Sequence, residues 1–211
     1  MNIFKSQRSK SLLACVIYVL TISFPKAEVI EYKDDRFSQS TYGGIGLIQN
    51  PTARFSNDGE FTFGISKEVP YGRLYSTAQF FPWMEVAIRY TEGTYKEYRP
   101  GMEQTWKDKG LDLKIKLLNE RSNFPALAMG FRDVGGTGDF SGEYIVANKM
   151  INNFDFSLGF GTASYAGSLL INNPFVSILG RSDKRGSYGD YGGNISIDNL
   201  FAGEKVGIFG G

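Results

Sequence analysis

Trp83-Met84-Glu85-Val86-Ala87-Ile88-Arg89-Tyr90-Thr91 alternates large apolar side chains with small or polar ones after its leading tryptophan. Met84, Val86, Ile88 and Tyr90 fall on one side of an extended chain, and Glu85, Ala87, Arg89 and Thr91 on the other. A period of two is the signature of a strand, because successive side chains leave a pleated backbone in opposite directions. The same alternation recurs at 60–67, where Phe61, Phe63 and Ile65 share a face. It recurs again at 111–117 (Leu111, Leu113, Ile115, Leu117) and at 154–161 (Phe154, Phe156, Leu158, Phe160). Weaker runs at 73–81, 126–134, 143–150, 194–197 and 206–209 bring the candidates to roughly nine strands. Turn residues punctuate them: Asn57-Asp58-Gly59, Phe81-Pro82, Asn119 to Asn123, Gly135-Gly136-Thr137-Gly138 and Asn152-Asn153. Residues 92–109 and 172–193, polar and without a clear period, read as loops or inserts. No stretch after residue 27 carries a helical period, so the fold class is all-β and largely antiparallel.

Periodicity leaves open which side of each strand meets an apolar environment. A secreted β-sandwich shows the same alternation as a barrel. Two details favour an outer-membrane β-barrel. The polar faces combine small residues (Gly64, Gly159, Gly161) with charges (Glu85, Arg89, Asp155), and aromatics recur near the strand ends at Tyr75, Phe81, Trp83, Tyr90 and Tyr144. A lipid-spanning barrel has this distribution, with an apolar outside, a polar inside and aromatic girdles at both interfaces.

The first 27 residues point the same way. Lys5, Arg8 and Lys10 precede an apolar run at 11–24, and Pro25-Lys26-Ala27 ends on a small residue. This is the layout of a cleaved signal peptide, and the run is shorter than the roughly 20 residues of a spanning helix. The expected division is therefore a signal peptide at 1–27 and a β domain at 28–211. Leu12-Leu13-Ala14-Cys15 resembles a lipobox, but cutting there would leave much of the apolar run on the mature chain. Cys15 is accordingly read as a small hydrophobe of the signal rather than as a lipidation site.

Composition removes several chemistries. The 211-residue chain has no histidine and one cysteine, so no Ser-His-Asp or Cys-His centre, His/Cys zinc site or internal disulfide can be assembled. With 23 basic and 22 acidic residues, the net charge of +1 offers no field for nucleic acid. Gly44-Ile45-Gly46-Leu47-Ile48-Gln49 imitates the start of a dinucleotide fingerprint. No apolar strand precedes it, and Asn50-Pro51 breaks the helix that should follow. No cofactor is expected. A two-carboxylate hydrolase drawn from Glu60, Glu85, Asp112, Glu143 and Asp155 remains as one alternative, with carboxylates paired to Arg89, Lys114 or Arg132 as the plainer reading. A soluble periplasmic carbohydrate-binding sandwich is the other.

An ordered series of blocks resembles the YjbH-like family of exopolysaccharide and capsule proteins. It runs from Gly44-Ile45-Gly46-Leu47-Ile48-Gln49-Asn50-Pro51-Thr52-Ala53-Arg54 through Asp58-Gly59-Glu60, Gln79-Phe80-Phe81-Pro82-Trp83 and Lys107 to Lys114. It continues through Ala128 to Gly138 and Phe140-Ser141-Gly142-Glu143-Tyr144. The resemblance implies a non-enzymatic protein of the cell outer membrane that helps to export or modify an extracellular polysaccharide. The implied partners are that polymer, outer-membrane lipid and other secretion proteins. It supplies no catalytic residues. Members of the family are longer and some are lipoproteins. The run beginning at Glu204 also stops without the closing aromatic of a finished barrel strand, so an N-terminal part of a larger barrel is expected. From alternation alone, the side chains offered to a polysaccharide are Tyr75, Glu85, Arg89, Tyr95, Lys114, Arg132 and Asp155.

Overall fold

The computed structural model describes residues 37–166, 169–186, 195 and 197–211. The expected signal peptide at 1–27 and Cys15 lie outside the described residues. A two-strand hairpin, β1 (Gly46–Leu47) and β2 (Asn50–Pro51), comes first. The main sheet follows: β3 (Phe61–Glu68), β4 (Tyr71–Phe81), β5 (Met84–Glu97), β6 (Thr105–Leu118), β7 (Ala126–Arg132), β8 (Gly142–Ile151) and β9 (Phe154–Gly161). It is completed by β10 (Leu170–Asn172) and β11 (Lys205–Gly210). The order across the sheet is β10-β11-β9-β8-β7-β6-β5-β4-β3, antiparallel throughout. Among the described strands, β3 and β10 are edges and do not pair with each other, so the sheet is not closed into a barrel.

Cross-strand register sorts the side chains into two faces, and the polarity is inverted relative to a water-soluble sheet. On the outer face Phe63 is 74% exposed, Ile65 81%, Ile88 63% and Leu158 65%. On the inner face Arg89 and Gln79 are each 1% exposed. One outer row runs Phe61, Ala78, Val86, Leu113, Phe131 and the next Met84, Ile115, Met129, Ile145, Phe160, Ile208. Along β5 the outward apolar run from Met84 to Tyr90 gives way to Glu92, and at the level of Glu92 the neighbouring outward residues are Lys67 and Lys107. Counting from the flanking Trp83 to Tyr90, the strand rises about 24 Å, close to the apolar band of a lipid-spanning barrel.

The two ends of the sheet differ. Two residues join β4 to β5 and β8 to β9, seven join β6 to β7, and exposed aromatics gather at this end. Phe81 stacks on Trp83 with centroids 5.5 Å apart, and Phe154 lies beside Phe156. The opposite end carries a two-residue turn at 69–70, seven residues at 98–104, nine at 133–141 and the excursion at 162–204 that includes β10. Residues 92–109, read as a loop, are instead mostly the upper part of the β5–β6 hairpin, continuous apart from an irregularity between Gly93 and Glu97. Outward Glu92 and Lys107 and inward Thr91 and Asp108 put polar groups on both faces there, so alternation is lost while the ladder persists. Within 172–193, Pro174–Leu179 forms a short helix, α1, in which Asn173 Oδ1 accepts from the Phe175 N–H and Gly180 closes the end at φ 64°. This is the expected division of labour between an Asn cap, a Pro in the first turn and a left-handed Gly. The strand expected at 194–197 falls partly outside the described residues, and Ile197 opens a single 3-10 turn.

Two of the girdle aromatics also move. Tyr75 and Tyr144 point inward and are buried, whereas Phe81, Trp83 and Tyr90 point outward. Each inward ring lies across a glycine on the next strand. The phenol of Tyr144 covers Gly130 and that of Tyr75 covers Gly64, so closely that a Cβ at either glycine would collide with the ring. The glycines of the polar face are thus seats for aromatic side chains.

Candidate functional site

The inner face is filled by the chain's own N-terminal segment, residues 37–59. Its backbone supplies most of the partners that the buried polar side chains require. The Gly44 N–H donates to Thr77 Oγ1 (2.9 Å) and the Ile45 N–H to Glu85 Oε2 (3.1 Å). Lys114 Nζ donates to the carbonyls of Ile45 (3.1 Å) and Arg54 (2.8 Å), pairs with Glu85 at 2.9 Å and stands 4.6 Å from the Phe55 ring centroid. Further along, the Ala53 N–H donates to Asn148 Oδ1 at 2.7 Å. Such groups would be costly to bury without partners, and Glu85 and Lys114 find theirs in each other and in the segment's backbone.

The glycines make this approach possible. Gly43 and Gly44 have φ values of 85° and 78°, in the left-handed region that only glycine adopts without strain. A Cβ at Gly44 would lie 2.6 Å from Glu85 Oε1. The stretch that imitates a nucleotide loop is a tight hairpin pressed against a carboxylate, with no helix after it.

Tyr42 sits at the centre of the site. The guanidinium carbons of Arg132, Arg73 and Arg89 lie 3.8, 4.2 and 5.0 Å from its ring centroid, an arrangement favoured by the ring's negative face. Arg89 also donates to the Tyr42 carbonyl and to Asp112 (2.7 Å), and Arg132 to the Gln49 carbonyl. Below, Arg54 reaches across the sheet to Glu120 (2.8 Å) and Asp155 (2.6 Å). Burial alone would lower the Arg54 pKa, but the hydrogen bonds and charges of Asp155 and Glu120 raise it above its ordinary value. Glu120 is likewise held below the usual carboxylate range, as Lys149 and Arg54 outweigh its desolvation.

Above Tyr42 the 133–141 loop folds back over the inner face. Asp133, fully buried at φ 52°, accepts from the Phe140 N–H (3.2 Å), and its own N–H donates to Asp112 (2.8 Å). Thr137 Oγ1 donates to Asp108 at 2.5 Å. Desolvation first, and then the nearby charge of Asp108, push the Asp133 carboxyl up to about 7. The loop thereby delivers Phe140 against Tyr42 (5.9 Å), Tyr71 (5.3 Å) and Trp106 (6.0 Å).

Of the seven side chains expected to meet a polysaccharide, Tyr75, Glu85, Arg89, Lys114 and Arg132 do converge on one face. The N-terminal segment engages all five. Asp155 faces the same interior but at the far end of β9, held by Arg54, and Tyr95 stands at the mouth on the upper hairpin. The cavity left between segment and sheet, beside Gly44, Glu85, Lys114, Arg132 and Tyr144, measures about 30 Å³, room for water but not for a sugar ring. The carboxylates do not gather: Glu60 bonds the Asn57 N–H in a turn, and Glu143 lies on the opposite face, bridged to Arg185 at 2.6 Å and 2.8 Å. The plainer expectation, cross-strand pairing with basic residues, holds for Glu85–Lys114 and Asp112–Arg89. What sequence reasoning missed is the filler itself, Tyr42 above all. Its available signal was the consecutive pair Gly43-Gly44 beside an aromatic.

Fold and site together define an antiparallel β domain with an apolar exterior and a charged interior packed around its own N-terminal segment. The family described as exopolysaccharide biosynthesis protein YbjH matches residues 38–211. The chain belongs to that family. Over 178 residues it is 38% identical to the uncharacterized lipoprotein YjbH of Escherichia coli (strain K12), an alignment that covers 82% of this chain and 25% of the relative. The chain thus spans about a quarter of the length of the curated relative it matches. No solved structure matches it.

Proposed function

We propose that this chain forms an outer-membrane β-barrel, or the N-terminal part of one, that assists exopolysaccharide or capsule secretion by binding the polymer rather than by catalysing a reaction. The observation that carries this reading is the inverted polarity of the sheet: outward Phe63, Ile65, Ile88 and Leu158 against buried Arg89, Glu85 and Lys114. A lipid exterior makes that distribution favourable. Connections of two to seven residues at the aromatic-rich end, with the longest ones, 133–141 and 162–204, at the other, fit the periplasmic and extracellular ends of such a barrel. No helix among the described residues is long and apolar enough to cross a membrane, so crossing would be by strands. The relative's designation as a lipoprotein supports an envelope location.

The filled interior favours binding over conduction through this part of the sheet. A polymer would meet residues at the mouth, and Tyr75, Glu85, Arg89, Lys114, Arg132 and Asp155 would become available only if the N-terminal segment withdrew. Partners in this reading are the polysaccharide, outer-membrane lipid and further secretion proteins. Fractionation of the host cell tests the location: recovery with outer membrane, released only by detergent, is expected, and release with the periplasm would sink the proposal. Deleting the gene should then lower the amount of polymer outside the cell.

A further inference from the structure

The excursion between β9 and β11 packs in part on the outer face of the sheet. Its helix α1 and the 3-10 turn at Ile197–Asn199 are clasped into one unit. Arg181 donates to the carbonyls of Leu200 (2.7 Å), Ile197 (2.5 Å) and Asp198 (3.0 Å), and Asn173 Nδ2 to those of Phe201 (3.0 Å) and Gly203 (2.7 Å). Phe175 and Phe201 meet within it, centroids 4.5 Å apart. The two rings then seat on outward rings of the sheet, Phe201 on Phe131 of β7 and Phe175 on Phe160 of β9, each at 6.0 Å. Val206, on the same face as Ile208, is fully buried there. The cover also deals with a carboxylate that faces the wrong way. Glu143 lies across from Phe131 and points outward, where an open charge against lipid would be costly. Instead it accepts from the Phe201 N–H (2.9 Å), Thr162 Oγ1 (2.5 Å) and both terminal nitrogens of Arg185 (2.8 and 2.6 Å), and it is buried. The far side of the unit is apolar again: Ile178 is 75% exposed, Ile197 69%, and Leu179 is exposed beside them.

We infer that this unit is a lipid-contact element outside the sheet, with Ile178, Leu179 and Ile197 among the acyl chains of outer-membrane lipid and the exposed Asp183, Lys184 and Asp198 among the headgroups. The inference rests on the reading that the outward face of the sheet meets lipid. Given that face, continuity selects the occupant. The unit stands on it, so its far side lies further out than Leu158 and Ile208, and the medium that meets those two meets it as well. The clasp is a second, independent observation. Irregular backbone is tolerated at a lipid boundary only where its polar groups are satisfied from within the protein. Arg181 and Asn173 do this for the carbonyls of Ile197, Asp198, Leu200, Phe201 and Gly203, a provision that a turn bathed in water does not need. An apolar tip flanked by charged residues is the distribution of an element lying at the headgroup boundary.

Cys15 is the one cysteine of the chain, so Cys15→Ser leaves a background for single labels. In that background Ile178→Cys and Ile197→Cys, both at exposed positions, are labelled with an environment-sensitive fluorophore. Ile88→Cys serves as the reference on the outer face and Glu103→Cys, at the exposed tip of the β5–β6 hairpin, as the reference in water. The full chain is folded into phosphatidylcholine vesicles, with and without brominated acyl chains. Emission at positions 178 and 197 should be blue-shifted relative to position 103 and should lose intensity in the brominated vesicles, as at position 88. Unquenched, water-like emission at either position overturns the inference. A blue shift without quenching means that protein covers the unit, a second copy included, and overturns lipid as its occupant. The reference at position 88 tells the failures apart: quenching there and none at 178 and 197 strikes this element alone, and no quenching at 88 strikes the reading of the sheet beneath it.

Discussion

Ile88→Arg places a charge in the middle of the outward face, and its cost depends on what that face touches. The Ile88 side chain is 63% exposed and contacts little protein. On a water-facing sheet, such a substitution falls within about 0.5 kcal/mol of neutral. In lipid the position is different. Ile88 lies two residues below Tyr90, about 7 Å along the strand, and four above Met84, about 14 Å, which puts it well inside the apolar band. A charge at the midplane of a barrel costs about 2–4 kcal/mol and less towards the interfaces, so about 2 kcal/mol is expected here. That is close to a thirtyfold loss in the folding equilibrium. The assay is urea titration of the protein folded into phosphatidylcholine vesicles, followed by tryptophan emission, with Lys67→Arg above the band as a control expected to be silent. If Ile88→Arg unfolds with the wild type in vesicles, the outer face does not meet lipid and the barrel reading fails.

Gly44→Ala should loosen the N-terminal segment, since φ is 78° and the added Cβ meets Glu85 Oε1. About 1–3 kcal/mol of strain is expected, read as faster limited proteolysis within residues 37–59 while the sheet stays intact. Lys114→Met leaves Glu85 buried without its cation and should cost about 3–5 kcal/mol in urea titration, and Glu85→Gln on the same chain should recover a substantial part of it. Asp133 gives a pH dependence with a defined sign. Its folded pKa of about 7 is above the ordinary 3.8, so its contribution to stability is fully present below pH 4 and is lost as pH rises towards 7. Protection of the Phe140 amide, its exchange rate taken relative to the intrinsic rate at each pH, should therefore fall as pH rises towards 7, and Asp133→Asn should abolish most of that fall.

The strands at 61–68 and 154–161, and the stretches 84–91 and 111–117 of β5 and β6, were legible because each has one apolar face, but a period of two carries no sign. Alternation cannot say whether Ile88 or Arg89 is the buried member. The upper hairpin was hidden for the opposite reason, since Glu92, Lys107 and Asp108 put polar groups on both faces. Tyr75 and Tyr144 were miscast as girdle residues, although their parity with Thr77 and Val146 places them inward, across from Gly64 and Gly130. The candidate site was legible as a face and not as a site. Nothing periodic marks residues 37–59, whose irregular backbone is held by side chains from strands far along the chain. Asn173-Pro174 and Gly180, in turn, spell a helix start and stop that polarity concealed.

The N-terminal filler also constrains the time course of folding. The Ala53 amide finds its partner 95 residues downstream, and Arg54 finds Asp155 101 residues downstream. Loops of that length close slowly, and until they close the arginine and the glycine hairpin have nothing to hold them. The first part of the domain to be made is therefore among the last to be secured. Shortening the chain anywhere before β9 should release it, so that loss of late strands is detected first as exposure of the earliest residues.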